Sequence, residues 1–178
     1  MIHLGPTIIE EGLIQSEIIK ERKTVRAIIT NDKHQVFLIY SKLFDDYTFP
    51  GGGVKDNETE EMALIRELEE EIGAKEITID APFCQTQELR YGVKGSDQVY
   101  LQTSIYYICK IHHMGEQKLV GRELLHGISP VWIDIEHAIK KNEEVHPNEL
   151  HQSKGLKTVL IRENRVLKAL KENLNEKI

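Results

Sequence analysis

The stretch from Gly52 to Ala74, GGVKDNETEEMALIRELEEEIGA, constrains the fold more than any other part of the chain. Its second half predicts a helix. Asn57 or Thr59 can cap the start, acidic residues fill the first turn, and Gly73 stands where a helix stops. Ile65, Leu68 and Ile72 recur at i, i+3 and i+7, which predicts a buried stripe. Glu67, Glu70 and Glu71 stand at i, i+3 and i+4 and share a second face. Carboxylates packed within one turn repel one another. A divalent cation that prefers hard oxygen ligands, Mg²⁺ first, turns that repulsion into coordination. Arg66, one turn before Glu70, can hold that carboxylate from behind, and Glu69 points away as ordinary solvated charge.

A length of 178 residues, 40% of them hydrophobic and 29% charged, predicts one domain with a proper core. Residues 1–24 form a weakly patterned lead-in that can supply one or two edge strands. Residues 25–141 form the core, and residues 153–175 a C-terminal helix. Val25–Thr30 and Gln35–Ser41 read as a hairpin across Asn31–His34, and Lys42–Gly53 as a loop. Strands are expected at Lys75–Ile79, Cys84–Tyr91, Gln98–Ile111 and Pro130–Ile135, with a turn at Gly92–Asp97 and a short helix at Glu136–Lys141. The last helix places Leu156, Val159, Leu160, Leu167, Leu170 and Leu174 on or near one face. The net charge of −6, without a basic cluster, argues against a nucleic-acid partner, although small phosphorylated ligands stay open because a metal can neutralise them. Cys84 and Cys109 read as buried small apolar residues. The first residues lack the basic and apolar pattern of a secretory signal, and no run is apolar enough to span a membrane, so a cytoplasmic location is expected.

The central stretch resembles the Nudix box, G-x5-E-x7-R-E-U-x-E-E-x-G-U, where U is a bulky aliphatic residue. The matching residues are Gly52, Glu58, Arg66, Glu67, Leu68, Glu70, Glu71, Gly73 and Ala74. All seven fixed polar or glycine positions agree, and only Ala74 is smaller than usual, which touches packing. A surface helix merely rich in glutamate does not account for the loop, the arginine and both glycines together. The resemblance covers roughly residues 25–141 and implies an α/β class fold, the Nudix α/β/α sandwich with a mixed β-sheet between helices. It also implies metal-assisted attack of water on a phosphoanhydride. By the resemblance the metal ligands, for Mg²⁺ or Mn²⁺, are Glu67, Glu70, Glu71 and the carbonyl of Gly51, and Glu58 supports the loop and the arginine. A carboxylate outside the box often serves as base or extra ligand, and Glu123 stands where relatives carry one, with Glu116 as the fallback. Glu67, Glu70, Arg66 and Glu123 are thus the expected catalytic set.

Substrate signals are thinner. Arg26, Lys42, Arg90 and Lys94 are cations that can contact phosphates, Tyr47 can stack on a base, and Phe49 is expected to pack. Tyr91 falls 17 residues after Ala74, where dinucleoside-polyphosphate hydrolases of the family tend to carry a tyrosine and ADP-ribose hydrolases a proline. No proline occurs between Pro82 and Pro130. The expected activity is cleavage of a pyrophosphate bond in a nucleoside diphosphate linked to another group, with nucleoside triphosphates first. Dinucleoside polyphosphates or ADP-ribose-type compounds follow, and the rival class is a module that senses a nucleotide without cutting it. Family members frequently dimerise, which leaves a homodimer open. His112, His113 and the His146/Glu149/His151 group read as exposed loop residues, lacking the partners of a tetrahedral site.

Overall fold

The structure, a computed structural model, describes residues 1–14, 18–93 and 96–176. In chain order its elements are β1 (Ile2–His3), β2 (Ile8–Ile9), β3 (Ile19–Ile28), β4 (Gln35–Ser41), β5 (Asp46–Thr48), β6 (Gly51–Gly53), α1 (Glu60–Ile72), β7 (Ala74–Tyr91) and β8 (Val99–Met114). They continue with α2 (Arg122–His126), β9 (Ile128–Asp134), α3 (Ile135–Val145) and α4 (Val159–Asn175). One mixed sheet runs β1-β7-β8-β3-β6, with β2 also on the edge of β7, and a second runs β5-β4-β9. The lead-in therefore does supply edge strands, and β3 starts at Ile19, six residues before the expected Val25.

Residues 25–41 do not form the expected hairpin. The turn is there, with Asn31 N–H donating to the Gln35 carbonyl at 3.1 Å. Beyond one bridge between Thr30 and Val36, however, the two strands part into different sheets. The cause is burial on both faces. Val25, Ala27, Ile29, Phe37 and Ile39 pack with Leu64, Leu68 and Ile72 of α1. Their alternating neighbours Ile28, Val36 and Leu38 pack with Ile135 and Ala138 of α3 and Val166, Leu167 and Leu170 of α4. Strands covered on both sides read as continuous apolar runs and need helices on both faces. The result is an α/β/α arrangement with a mixed sheet. Cys84 and Cys109 are buried free thiols, as expected, and burial pushes both up to about 12.

Thr59, rather than Asn57, caps α1 by accepting from Met62 N–H, and Gly73 ends it in the left-handed conformation at φ 66°. The buried stripe is Ala63, Leu64, Leu68 and Ile72, and Ile65 is left 37% exposed. At about 100° per residue Ile65 stands about 60° round from Leu68, past the edge of the contact with the sheet. The apparent loop at Lys42–Gly53 holds two short strands, β5 and β6. Leu156 lies before α4, whose buried face carries Arg162, Glu163 and Asn164 among its aliphatics. No helix among the described residues is long and apolar enough to cross a membrane.

Candidate functional site

Helix α1 delivers the box carboxylates to the β3–β6 edge. There β6 is three glycines, paired so that Gly51 lies opposite Arg26 and Gly52 opposite Val25. Gly51 has φ 134°, and a Cβ on it would lie 2.1 Å from the Val25 carbonyl oxygen. A Cβ on Gly52 would lie 2.5 Å from the Glu67 carboxyl. Gly51 is closed to any side chain and one on Gly52 would displace the Glu67 carboxyl, so the two glycines let the strand and the helix face approach. Gly52→Ala is expected to push the Glu67 carboxylate aside and cut turnover at least tenfold. Matched thermal melts and initial rates check this, and unchanged rates would contradict it.

Arg66 organises the cluster. Its Nε and Nη2 donate to the two Glu58 oxygens at 2.6 and 2.9 Å, its Nη1 to Glu67 Oε1 at 2.7 Å, and its Nη2 also to the Gly53 carbonyl at 3.1 Å. This two-pronged pairing holds Glu58 down to about 2 and raises Arg66 further. Glu58 also accepts from Lys55 N–H at 3.1 Å, so it ties the loop to the arginine. Glu70 lies 3.6 Å from the same guanidinium. Glu71 Oε2 accepts from Gly51 N–H at 2.8 Å. Burial pushes Glu71 up to about 8, with the Glu67 and Glu123 carboxylates adding to the rise against Arg26 and the Gly51 N–H.

Carboxylate oxygens of Glu67, Glu71 and Glu123 lie within 4.8 Å of one another. Glu123 comes from α2, and its Oε2 accepts from Val120 N–H at 3.1 Å. The sequence-predicted set is thus brought together in part. Glu67, Glu71, Glu123 and Arg66 converge, Gly51 lies against Glu71, and Glu70 sits beside them on Arg66, outside that triad. All the donors are hard carboxylate oxygens, the set that Mg²⁺ or Mn²⁺ takes, so the residues fit a divalent ion.

A cavity of about 250 Å³ opens from Glu71 and Glu123 and includes Arg26, whose Nη1 donates to the Phe49 carbonyl at 2.9 Å. The other substrate-side residues fall elsewhere. Tyr47 packs against Tyr40 at 5.3 Å and His137 at 6.5 Å, because alternation along β5 sends Asp46 and Thr48 into the cavity and Tyr47 to the opposite face. Tyr91 is buried, and its hydroxyl accepts from Ile14 N–H at 2.9 Å. Lys42 is exposed beside Gly127, and Arg90 is buried on Gln102 and the Gly155 carbonyl. Lys94 lies outside the described residues.

His151, expected to be exposed, is buried in the cavity wall with Phe44 and His126. Asp46 is also there, and sequence reading missed it because β5 looks like loop. Burial pushes Asp46 up to about 7, with the Glu163 and Asp45 carboxylates adding to the rise. A pKa raised in the folded state contributes stability that is full below the ordinary value of 3.8 and is lost as pH rises towards about 7. Asp46→Asn is therefore expected to melt several degrees above the parent at pH 8 and to show no such gain at pH 4.

A family model for the NUDIX domain matches residues 20–153. The chain belongs to the Nudix family. A protein named RNA pyrophosphohydrolase from Ectopseudomonas mendocina (strain ymp) is 41% identical over 70 residues, 39% of this chain and 44% of that protein. A protein of the same name from Pseudomonas fluorescens (strain SBW25) is 40% identical over the same length. The chain thus matches less than half the length of these curated relatives. A NUDIX hydrolase from Nitrosomonas europaea shares the fold at TM-score 0.53 and 17% identity, over 83% of this chain and 90% of that one.

Proposed function

We propose that the protein hydrolyses a phosphoanhydride bond in a nucleoside diphosphate linked to another group, with nucleoside triphosphates as the preferred class. The convergence of Glu67, Glu71 and Glu123 within 4.8 Å at the end of a ligand-sized cavity carries this reading. Those three residues would hold Mg²⁺ or Mn²⁺, and Glu70 and the Gly51 carbonyl are the further ligands that the Nudix box implies. A divalent ion bound there supplies screening of phosphate charge and an acidified water. The water oxygen bonds to phosphorus as the bridging P–O bond breaks, and Glu67, aimed by Arg66, takes the proton. Arg26 adds positive charge to the same cavity, and Gly51 N–H fixes the orientation of Glu71. Release of a nucleoside monophosphate and pyrophosphate follows for a triphosphate.

A second reading has support in the 41% identity to proteins named for action on RNA. In it the phosphates enter as the 5′ end of an RNA, and only that end occupies the cavity. The deciding experiment is product release from nucleoside triphosphates, dinucleoside polyphosphates, ADP-ribose and a 5′-triphosphorylated oligoribonucleotide, with Mg²⁺ and with Mn²⁺. Rapid turnover of one class names the substrate. Tight nucleotide binding with no turnover in either metal would replace the hydrolase by a sensor.

A further inference from the structure

The cavity has two chemically distinct ends. One holds Glu71, Glu123 and Arg26, and the other is built from Phe44, His126, His151 and Asp46. Its volume of about 250 Å³ lies near the lower bound of the roughly 300–1,000 Å³ of ligand pockets, enough for a ring system at one end with phosphates at the other. The Phe44 ring lies 5.1 Å from His126, edge to face at 88°, and 5.6 Å from His151. Burial lowers both histidines, which leaves an uncharged aromatic wall suited to a planar heterocycle.

Asp46 supplies the polar feature of that end. It is 5% exposed, and among the described residues no other residue donates a hydrogen bond to its carboxylate. The nearest candidate, His151 Nδ1, is 3.8 Å away. His151 Nε2 lies 2.9 Å from the Phe44 carbonyl, which can only accept, so Nε2 carries the proton. In the neutral ring Nδ1 then holds a lone pair and gives Asp46 nothing. A buried carboxylate whose one donor is its own backbone N–H is costly, and a ligand that brings donors removes the cost.

We propose that this end of the cavity is the base pocket of the substrate and that Asp46 makes it selective for guanine. A carboxylate offers two parallel acceptors. Guanine presents two adjacent donors, its ring N1–H and its 2-amino group, which match both oxygens. Adenine and cytosine present an amino group beside a lone pair, and uracil a single N–H between two carbonyls. The proposal rests on the reading that the Glu71 and Glu123 end receives the phosphates. The same guanine can arrive as free GTP or as the first nucleotide of an RNA.

The test compares the unaltered protein with Asp46→Asn, with calorimetric affinities for GDP, ADP and XDP in Mg²⁺ beside turnover of GTP, ATP, XTP and a 5′-triphosphorylated RNA beginning with G. The unaltered protein is expected to favour guanine at least tenfold. Asp46→Asn should weaken guanine binding about 10- to 100-fold, the loss of hydrogen bonds to a charged group. It should gain affinity for xanthine, whose 2-carbonyl accepts from the new amide, a gain that damage to the fold cannot produce. GTP outrunning the RNA, or the reverse, identifies the source of the base. Equal affinity for all bases, or an unchanged preference in Asp46→Asn, overturns the inference while hydrolysis stands. Asp46-dependent GDP binding without turnover of any nucleotide keeps the pocket and removes the hydrolase reading.

Discussion

Glu67→Gln is expected to lower kcat by roughly 10³-fold, within the range of about 10²–10⁴ that positioned acid–base groups contribute. The amide keeps the shape of the side chain, so Arg66 still has an oxygen to meet at the position now 2.7 Å from its Nη1. What is lost is negative charge and basicity at the point where the three carboxylates converge. Folding should therefore survive while chemistry does not. Single-turnover rates at saturating Mg²⁺, beside a thermal melt, separate the two. A variant that retains more than a tenth of the parental kcat would remove Glu67 from the proton-transfer role and leave it as a ligand at most.

The second large effect lies away from the carboxylates. Arg162→Ala is expected to destabilise the protein by about 3–5 kcal/mol, because removing one partner strands buried charge. Arg162 donates from Nη1 to Glu88 Oε2 at 2.9 Å and from Nε and Nη2 to Glu163 Oε1 at 2.9 and 2.7 Å, and both glutamates have fully buried side chains. In Glu88 burial is the largest single effect and acts to raise the pKa, and Arg162, Thr158 and Arg90 together outweigh it to leave the group lowered. At about 2–4 °C per kcal/mol for a chain of this size, the melting temperature should fall by roughly 10 °C. Urea unfolding with an unchanged m value would confirm that the loss is one of stability. Glu163 Oε2 also accepts from Phe49 N–H at 2.7 Å, and Tyr106 OH donates to its Oε1 at 3.2 Å. The network thus anchors the residues leading into Pro50 and Gly51, and activity should fall at temperatures below the melt. A loss under 1 kcal/mol would show the charges to be solvated after all.

Much of the candidate carboxylate site was legible because most of its residues carry a local signal. Thr59, Gly73 and the apolar period define α1, and a carboxylate spacing of one turn makes Glu67 and Glu71 neighbours before any tertiary contact is known. Glu123 needed the resemblance, since nothing in its own five-residue helix marks it. The substrate side depended on which way short strands face. In the three residues of β5 no periodicity can be measured, so Tyr47 looked the better ligand group while the fold turned Asp46 inward. Arg162, Glu163 and Asn164 are buried in their helix because Arg162 pairs with Glu163 and with Glu88 of β7, while Asn164 bonds Asn142 and the Ile139 carbonyl of α3. Long-range pairing of this kind leaves no trace in sequence spacing. The same holds for β3 and β4, whose separation into two sheets follows from cores on both faces rather than from the turn between them.

The measurement that tests the central claim most directly is Mn²⁺ binding followed by electron paramagnetic resonance, on the unaltered protein and on Glu71→Gln and Glu123→Gln. Convergent carboxylates that hold a catalytic ion predict saturable Mn²⁺ binding, competed by Mg²⁺ and weakened at least tenfold in each variant, with turnover falling in parallel. Mn²⁺ affinity that is the same in all three proteins would contradict the account.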